Sequence, residues 1–230
     1  MTDRPVLLVT GASRGIGRAI ALRSADAYDV LAVARDGAAL QALAREVEER
    51  HGGRCRPIPL DVTDAAAVSA ALRGERVDVL VNNAGVMLRK PLVELALEEW
   101  RRVLDVNVNA LYHVTRAVLP GMLDRGRGHV VTIGSMSGRG AFAGGTAYVG
   151  TKHFVLGFSE SLLLEVRDRG VKVSVVMPGS TNTGLSGGGG AASWKLDPAA
   201  VADVVRYVVD APGHTLVSTV EVRPLRPPGP

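Results

Sequence analysis

The sequence predicts an α/β fold, a doubly wound parallel sheet of seven strands flanked by helices. Three observations predict it. Seven short runs, several of them apolar almost throughout, recur along the chain: Val6–Thr10, Val30–Ala34, Arg56–Leu60, Val77–Val81, His129–Ile133, Val171–Met177 and Leu216–Val222. Strands covered on both faces have this composition. Segments of helical spacing lie between them, one marked by Leu40, Leu43 and Val47, another by Leu156, Leu163 and Val166. Finally, no internal repeat or linker divides the 230 residues, so a single catalytic domain over residues 1–230 is expected. Strands alternating with helices give parallel pairing, and right-handed crossovers put helices on both faces.

Composition narrows the function classes. Aromatic residues are only 4%, so Val, Ala and Leu must fill the core. The net charge of +4 comes from Lys and Arg scattered among Asp and Glu, which signals general solvation and no nucleic-acid partner. No apolar run reaches the ~18 residues of a membrane span. The opening Met1-Thr2-Asp3-Arg4-Pro5 lacks a secretory pattern, and the lone Cys55 suits a reducing compartment. A cytoplasmic location is therefore expected.

The first strand runs into Thr10-Gly11-Ala12-Ser13-Arg14-Gly15-Ile16-Gly17 and then a helix-like segment. Glycines let a backbone turn tightly against a pyrophosphate, while the following helix aims its free N–H groups at the phosphates. Gly11, Ser13, Arg14, Gly15, Ile16 and Gly17 are the candidate cradle. No Gly-Lys-Ser/Thr follows, which excludes a mononucleotide loop of the Walker type and favours a dinucleotide.

The second strand ends in Ala34-Arg35-Asp36. An acid at that end would bind a ribose 2′-hydroxyl and repel a 2′-phosphate. Arg35 stands there instead, with Arg14 nearby, and two guanidinium groups can grip a phosphate. NADP(H) is thus expected over NAD(H). After the third strand, Asp61 and Val62 are candidates for the adenine; Asp61 could equally cap the helix beginning near Asp64. The fourth strand leads into Asn82-Asn83-Ala84-Gly85, where Asn83, Ala84 and Gly85 would lie against the cofactor and Asn82 would brace the strand ends.

Ser135 follows the fifth strand, at the carboxyl edge where open α/β sheets bind ligands, with Ser137 as its competitor. A hydroxyl there can donate to a carbonyl oxygen as charge develops on it. Tyr148 and Lys152, four residues apart, fall on one helix face. A free tyrosine titrates near 10; an ammonium about 4 Å away at an effective dielectric of ~20 would favour phenolate by about 4 kcal/mol and bring it near 7.

The Thr-Gly-x-x-x-Gly-x-Gly turn, Asn82-Asn83-Ala84-Gly85, Ser135 thirteen residues before Tyr148, and Tyr148-x-x-x-Lys152 together resemble the classical short-chain dehydrogenase/reductase family over essentially the whole chain. The resemblance implies a Rossmann-type fold and hydride transfer between a nicotinamide and a carbonyl or alcohol of ketone, aldehyde or 3-oxoacyl type. It implies a tetrad of Asn107, Ser135, Tyr148 and Lys152, selecting Ser135 over Ser137. Asn107 would hold a kinked helix and a water beside Lys152, and Lys152 would also bind the nicotinamide ribose. Pro178, Gly179, Thr181 and Thr183 would hold the carboxamide end of the cofactor, with Thr181 departing from the usual Val or Ile.

A short substrate loop is expected at about 183–196, covering an apolar pocket for which Met136, Phe142, Leu185 and Trp194 are candidates. It contains Gly187–Gly190; residues 224–230 form a Pro-rich tail. No metal site is indicated. The resemblance further implies a homodimer or homotetramer built through helices near 100–120 and 148–168, to which Phe154, Phe158 and Leu162 could contribute. Two rivals are a non-catalytic nucleotide sensor, which has no need of the tetrad, and a sugar-nucleotide epimerase or dehydratase, which needs a larger C-terminal substrate domain.

Overall fold

The computed structural model describes residues 4–185 and 192–226. The strands are β1 (Val6–Thr10), β2 (Asp29–Ala34), β3 (Cys55–Pro59), β4 (Val79–Asn82), β5 (Gly128–Ile133), β6 (Val171–Pro178) and β7 (Thr219–Val222). They form one sheet in the order β3-β2-β1-β4-β5-β6-β7, every pair parallel. The order in which strands are added reverses at the β1–β4 pair, where Val9 stands opposite Ala32 on one side and Val81 on the other. The crevice beyond the carboxyl ends of these two strands is where such sheets bind ligands.

Among the described residues seven α-helices cover the sheet: α1 (Gly15–Ser24), α2 (Gly37–His51), α3 (Ala65–Leu72), α4 (Leu97–Leu104), α5 (Ala110–Asp124), α6 (Thr146–Val166) and α7 (Pro198–Val209). Alternation along β1 divides the core. Leu7 and Val9 pack with Ile20, Leu40, Leu43, Val47 and Val205 of α1, α2 and α7, whereas Leu8 packs with Val68, Val114 and Val166 of α3, α5 and α6. The predicted α2 stripe is fully buried. On α6 only Val166 of the three predicted residues is buried; Leu156 and Leu163 are half-buried, and the core stripe runs through Val155, Ser159 and Leu162.

The main differences from the sequence expectation lie at strand ends. Pro57 and Pro59 sit in β3 because it is an edge, where a missing N–H costs no interior ladder bond. At the other edge β7 begins at Thr219, not Leu216. Before it the Lys172 ammonium gathers the carbonyls of Ala211, Pro212 and Thr215, and Val217 O is taken by Ser174, so pairing starts only when Ser218 O reaches Val175 N. β4 likewise starts two residues late and extends to Asn82. Gly187–Gly190 and the last residues of the tail fall outside the described residues. No helix among the described residues is long and apolar enough to cross a membrane.

Buried His129 on β5 has a fixed role. Ser174 Oγ donates to Val217 O at 2.7 Å, so its lone pair accepts from His129 Nε2, also at 2.7 Å, and the imidazole is neutral. Burial, helped by the Lys172 charge, pushes its pKa down to about 4 from 6.5. Between those values the unfolded chain binds more protons, so stability falls as pH drops from 6.5 towards 4 and levels off below. The loss amounts to about 3 kcal/mol. Urea titrations across this window should show that slope and His129→Leu should flatten it; an equal slope in the variant would refute the assignment.

Candidate active site

Helix capping already marks one end of the site. Asp36, Asp64 and Asp197 each accept a backbone N–H at the start of α2, α3 and α7, at 2.9, 2.9 and 2.8 Å. α1 has no such cap: Arg14, the residue before it, is extended and its side chain caps nothing. Its first N–H groups are therefore available to an anion. They open on a cavity of about 1030 Å³ lined along the carboxyl edge from Arg35 and Asp61 to Tyr148 and Leu185.

The crevice is held open by side chains of the two central strands. Thr10 Oγ1 accepts from Asn83 N and Ala84 N, both at 3.0 Å, while Asn83 Nδ2 donates back to Thr10 O at 2.8 Å. Asn82, buried below, donates to Thr115 at 3.0 Å. Both asparagines thus brace the strand ends, although Asn83 also reaches the lining. Gly11 and Gly15 have positive φ, 68° and 56°, which the turn requires. Gly17 does not line the cavity, against expectation. A Cβ on it would stand 2.4 Å from Gly11 O and 2.5 Å from Asn83 Nδ2, so it is glycine to let α1 pack on the turn.

At the far end of β2, Asp36 is spent on capping α2, and Arg14 and Arg35 both line the cavity. Asp61 does not cap α3; Asp64 does. Asp61 instead accepts from Thr63 N at 3.0 Å and Thr63 Oγ1 at 2.8 Å, and faces Arg35 Nη1 at 3.9 Å. The backbone bond from Thr63, then its hydroxyl and the Arg35 charge, hold its carboxyl below the usual range against a smaller effect of burial.

Ser135, Tyr148 and Lys152 converge at the ends of β5 and α6, and all three line the cavity. Ser135 Oγ accepts from Ser137 N at 3.1 Å, and its hydroxyl is the polar group that offsets part of the effect of burial on the Tyr148 phenol. Tyr148 and Lys152 are buried, 6% and 8% exposed, which is not how a surface pair behaves. No hydrogen bond joins the phenol to the ammonium. Lys152 Nζ donates to Ile133 O at 3.0 Å and lies 5.8 Å from the Tyr148 ring centre. A desolvated ammonium gains more from a carbonyl than from a neutral phenol. Burial accordingly pushes Tyr148 above 10, opposed by the Ser135 hydroxyl, and pulls Lys152 down to about 8. In this state the phenol is not lowered towards 7.

Asn107 lies behind this cluster on a π-helical turn, Asp105–Asn109, that joins α4 to α5. Its Oδ1 accepts from Val86 N at 2.8 Å; its Nδ2 donates to Val86 O at 2.9 Å and Thr151 Oγ1 at 3.0 Å. Thr151 Oγ1 in turn donates to Tyr148 O at 2.7 Å. Thr151 was not singled out in the sequence, yet it links the segment after β4 to the tyrosine's own backbone. Asn107 and Lys152 also border a small cavity of about 20 Å³ with Thr132, enough for one water.

Pro178, Gly179, Thr181 and Thr183 line the large cavity. Thr181 pairs as an isolated bridge with Leu196, and a Cβ on Gly15 would meet Thr183 at 3.2 Å. Among the four pocket candidates, Phe142 and Leu185 reach the lining and Met136 and Trp194 do not. Met136 faces inward on a short 3-10 turn and packs with Leu111, Val155 and Met177. Trp194 is half-buried with the Lys195 ammonium 5.8 Å above its ring.

The sheet order, the crevice at the β1–β4 junction and the glycine turn before an uncapped helix define a Rossmann-type α/β protein. The short chain dehydrogenase family model matches residues 5–191. The chain belongs to that family. It is 35% identical over 244 residues to the NADP-dependent 3-hydroxy acid dehydrogenase YdfG of Salmonella typhi, an alignment covering 96% of this chain and 95% of the relative. An alcohol dehydrogenase from the archaeon Thermococcus sibiricus, complexed with 5-hydroxy-NADP, superposes with a TM-score of 0.91 at 28% identity, covering 99% and 100% of the two chains. A 3-oxoacyl-[acyl-carrier protein] reductase from Brucella melitensis gives 0.87 at 31%, covering 96% and 90%.

Proposed function

We propose that this chain is an NADP(H)-dependent oxidoreductase that interconverts a carbonyl and its alcohol, with Tyr148 carrying the proton. The observation that carries the reading is the Ser135–Tyr148 hydroxyl pair, backed by buried Lys152, on the wall of the cavity that α1 enters uncapped. The residues suit a dinucleotide: free N–H groups and Gly15 for the pyrophosphate, Arg14 and Arg35 for a 2′-phosphate, Asp61 and Val62 for the adenine side, and Thr181 and Thr183 near the nicotinamide. When bound, NADP(H) supplies or accepts the hydride.

The protein's share is positioning and proton transfer. Ser135 donates to the substrate oxygen and Tyr148 gives that oxygen its proton as negative charge builds. A phenol held above 10 is protonated at neutrality, which suits the reducing direction. Lys152 keeps a positive charge behind the phenol and has N–H bonds left for a ribose hydroxyl. Asn107, through Thr151, fixes where Tyr148 stands, and the adjoining cavity can hold a water beside Lys152.

The relatives' names cover 3-hydroxy acids, alcohols and 3-oxoacyl thioesters, in keeping with the ketone, aldehyde or 3-oxoacyl substrates proposed here. The test is a panel of ketones, aldehydes, 3-oxo acids and 3-oxoacyl thioesters, each run with NADPH and NADH. NADPH consumption with a carbonyl supports the reading; no consumption across the panel favours the nucleotide-sensor alternative. For cofactor choice, Arg14→Ala and Arg35→Ala should each lower kcat/KM for NADPH and leave NADH unchanged. Charge-assisted bonds of this type are worth about 1.5–3 kcal/mol, but Arg35 is 73% exposed, so solvent screening leaves roughly tenfold. Equal losses with both cofactors would remove the arginines from phosphate recognition.

We further propose a homodimer or homotetramer formed through α5 and α6, where Tyr112, Phe154 and Leu164 are exposed. Of the residues expected there, only Phe154 is on the surface: Leu162 is buried and Phe158 half-buried against the core.

A further inference from the structure

Cationic side chains outnumber carboxylates on the wall of the large cavity, and most have work there or nearby. Arg14 and Arg35 stand at the adenosine end, and Lys152 is bound to Ile133 O. Arg89 is different. It extends from the segment after β4, and its Cζ lies 5.6 Å from the centre of the Phe142 ring, which is itself 6.5 Å from the Tyr148 ring. Its Nε donates to Ala143 O at 3.2 Å. The neighbouring backbone is also fastened, Lys90 N donating to Gly144 O at 2.8 Å. The guanidinium is thus oriented by a ring face and a carbonyl, and among the described residues its Nη groups make no hydrogen bond. No carboxylate among the described residues pairs with it. Lys90, next to it, is paired with Glu99 at 2.8 Å.

We propose that Arg89 is a specificity-determining residue that binds a carboxylate on the substrate, making the preferred substrates free oxo acids and hydroxy acids. This rests on the oxidoreductase reading above. The two Nη groups of an arginine fork match a carboxylate bidentately. The run from Tyr148 past Phe142 to Arg89 places that anion a short carbon chain away from the reacting carbon, with Phe142 as the apolar wall between. A thioester carries no charge at that position, so the arrangement favours the free acid over a carrier-bound acyl group.

The experiment compares a 3-oxo acid and a 5-oxo acid with their methyl esters, in the NADPH assay, for the full-length wild type, Arg89→Ala and Arg89→Lys. The wild type should prefer at least one acid to its ester. Arg89→Ala should lower kcat/KM for that acid by about 10–100-fold, the range of a lost charged hydrogen bond, and leave the ester within twofold. Arg89→Lys should recover part of the loss. A wild type that prefers both esters, or an Arg89→Ala loss shared equally by acid and ester, overturns the proposal, the latter assigning Arg89 to holding the 142–145 segment. Absence of turnover with every carbonyl would instead sink the oxidoreductase reading. The anion site is then judged by thermal shift of the NADP+-loaded protein with a 3-hydroxy acid: a rise in wild type that Arg89→Ala abolishes supports it, and no difference overturns it.

Discussion

Replacing Tyr148 by phenylalanine is expected to lower carbonyl reduction by about 10²–10⁴-fold, the usual worth of a positioned general acid, with NADPH affinity kept within a few-fold. The variant removes one oxygen from a side chain that is 6% exposed and leaves the ring against Phe142. Ser135 keeps its bond from Ser137 N when that hydroxyl is removed. Thr151 bonds the backbone carbonyl of residue 148, which the substitution does not touch. Binding and chemistry should therefore separate. Burial holds the phenol above 10, which sets the sign of the pH dependence. Reduction uses the protonated phenol and should stay flat from neutrality to about 8, where Lys152 begins to lose its charge. Alcohol oxidation needs the phenolate and should climb with pH over the same range. Stopped-flow rates and a fluorescence titration of NADPH measure the two halves. Unchanged turnover in Tyr148→Phe would remove this residue from the mechanism.

The fold was legible because its signal is local. A strand covered on both faces is apolar at most positions, and β1, β2, β5 and β6 are found within a residue of where their composition puts them. β7, half-exposed at an edge, carries no such constraint, and its start depends on where Lys172 and Ser174 send their bonds. The site was legible in part. Spacing set Tyr148 and Lys152 on one helix face, but spacing does not choose an acceptor, and Ile133 O, nineteen residues away, outbids the phenol. Met136 and Trp194 are apolar, which predicts burial without saying which surface is met. Arg89 belongs to no motif. Its role depends on Phe142 and Ala143, residues over fifty positions away that only folding brings beside it.

Gly17 shows the same limit with a larger expected consequence. In a glycine-rich turn the last glycine can serve the ligand or the packing, and only the fold distinguishes the two. Here the space a Cβ would need is occupied by Gly11 O at 2.4 Å and Asn83 Nδ2 at 2.5 Å. The first is backbone at a residue of positive φ, and the second is tied to Thr10 O, so neither can move without disturbing the β1–β4 stitch. Gly17→Ala must therefore push α1 away from the turn, at a cost of about 1–3 kcal/mol for overpacking, and shift the free N–H groups of its first turn. Stability and NADPH affinity should fall together. Urea denaturation read beside NADPH titration distinguishes the accounts. A Gly17→Ala protein as stable as wild type that still loses NADPH would return this glycine to the phosphate site, and one that loses neither would mean that α1 can yield where the geometry says it cannot.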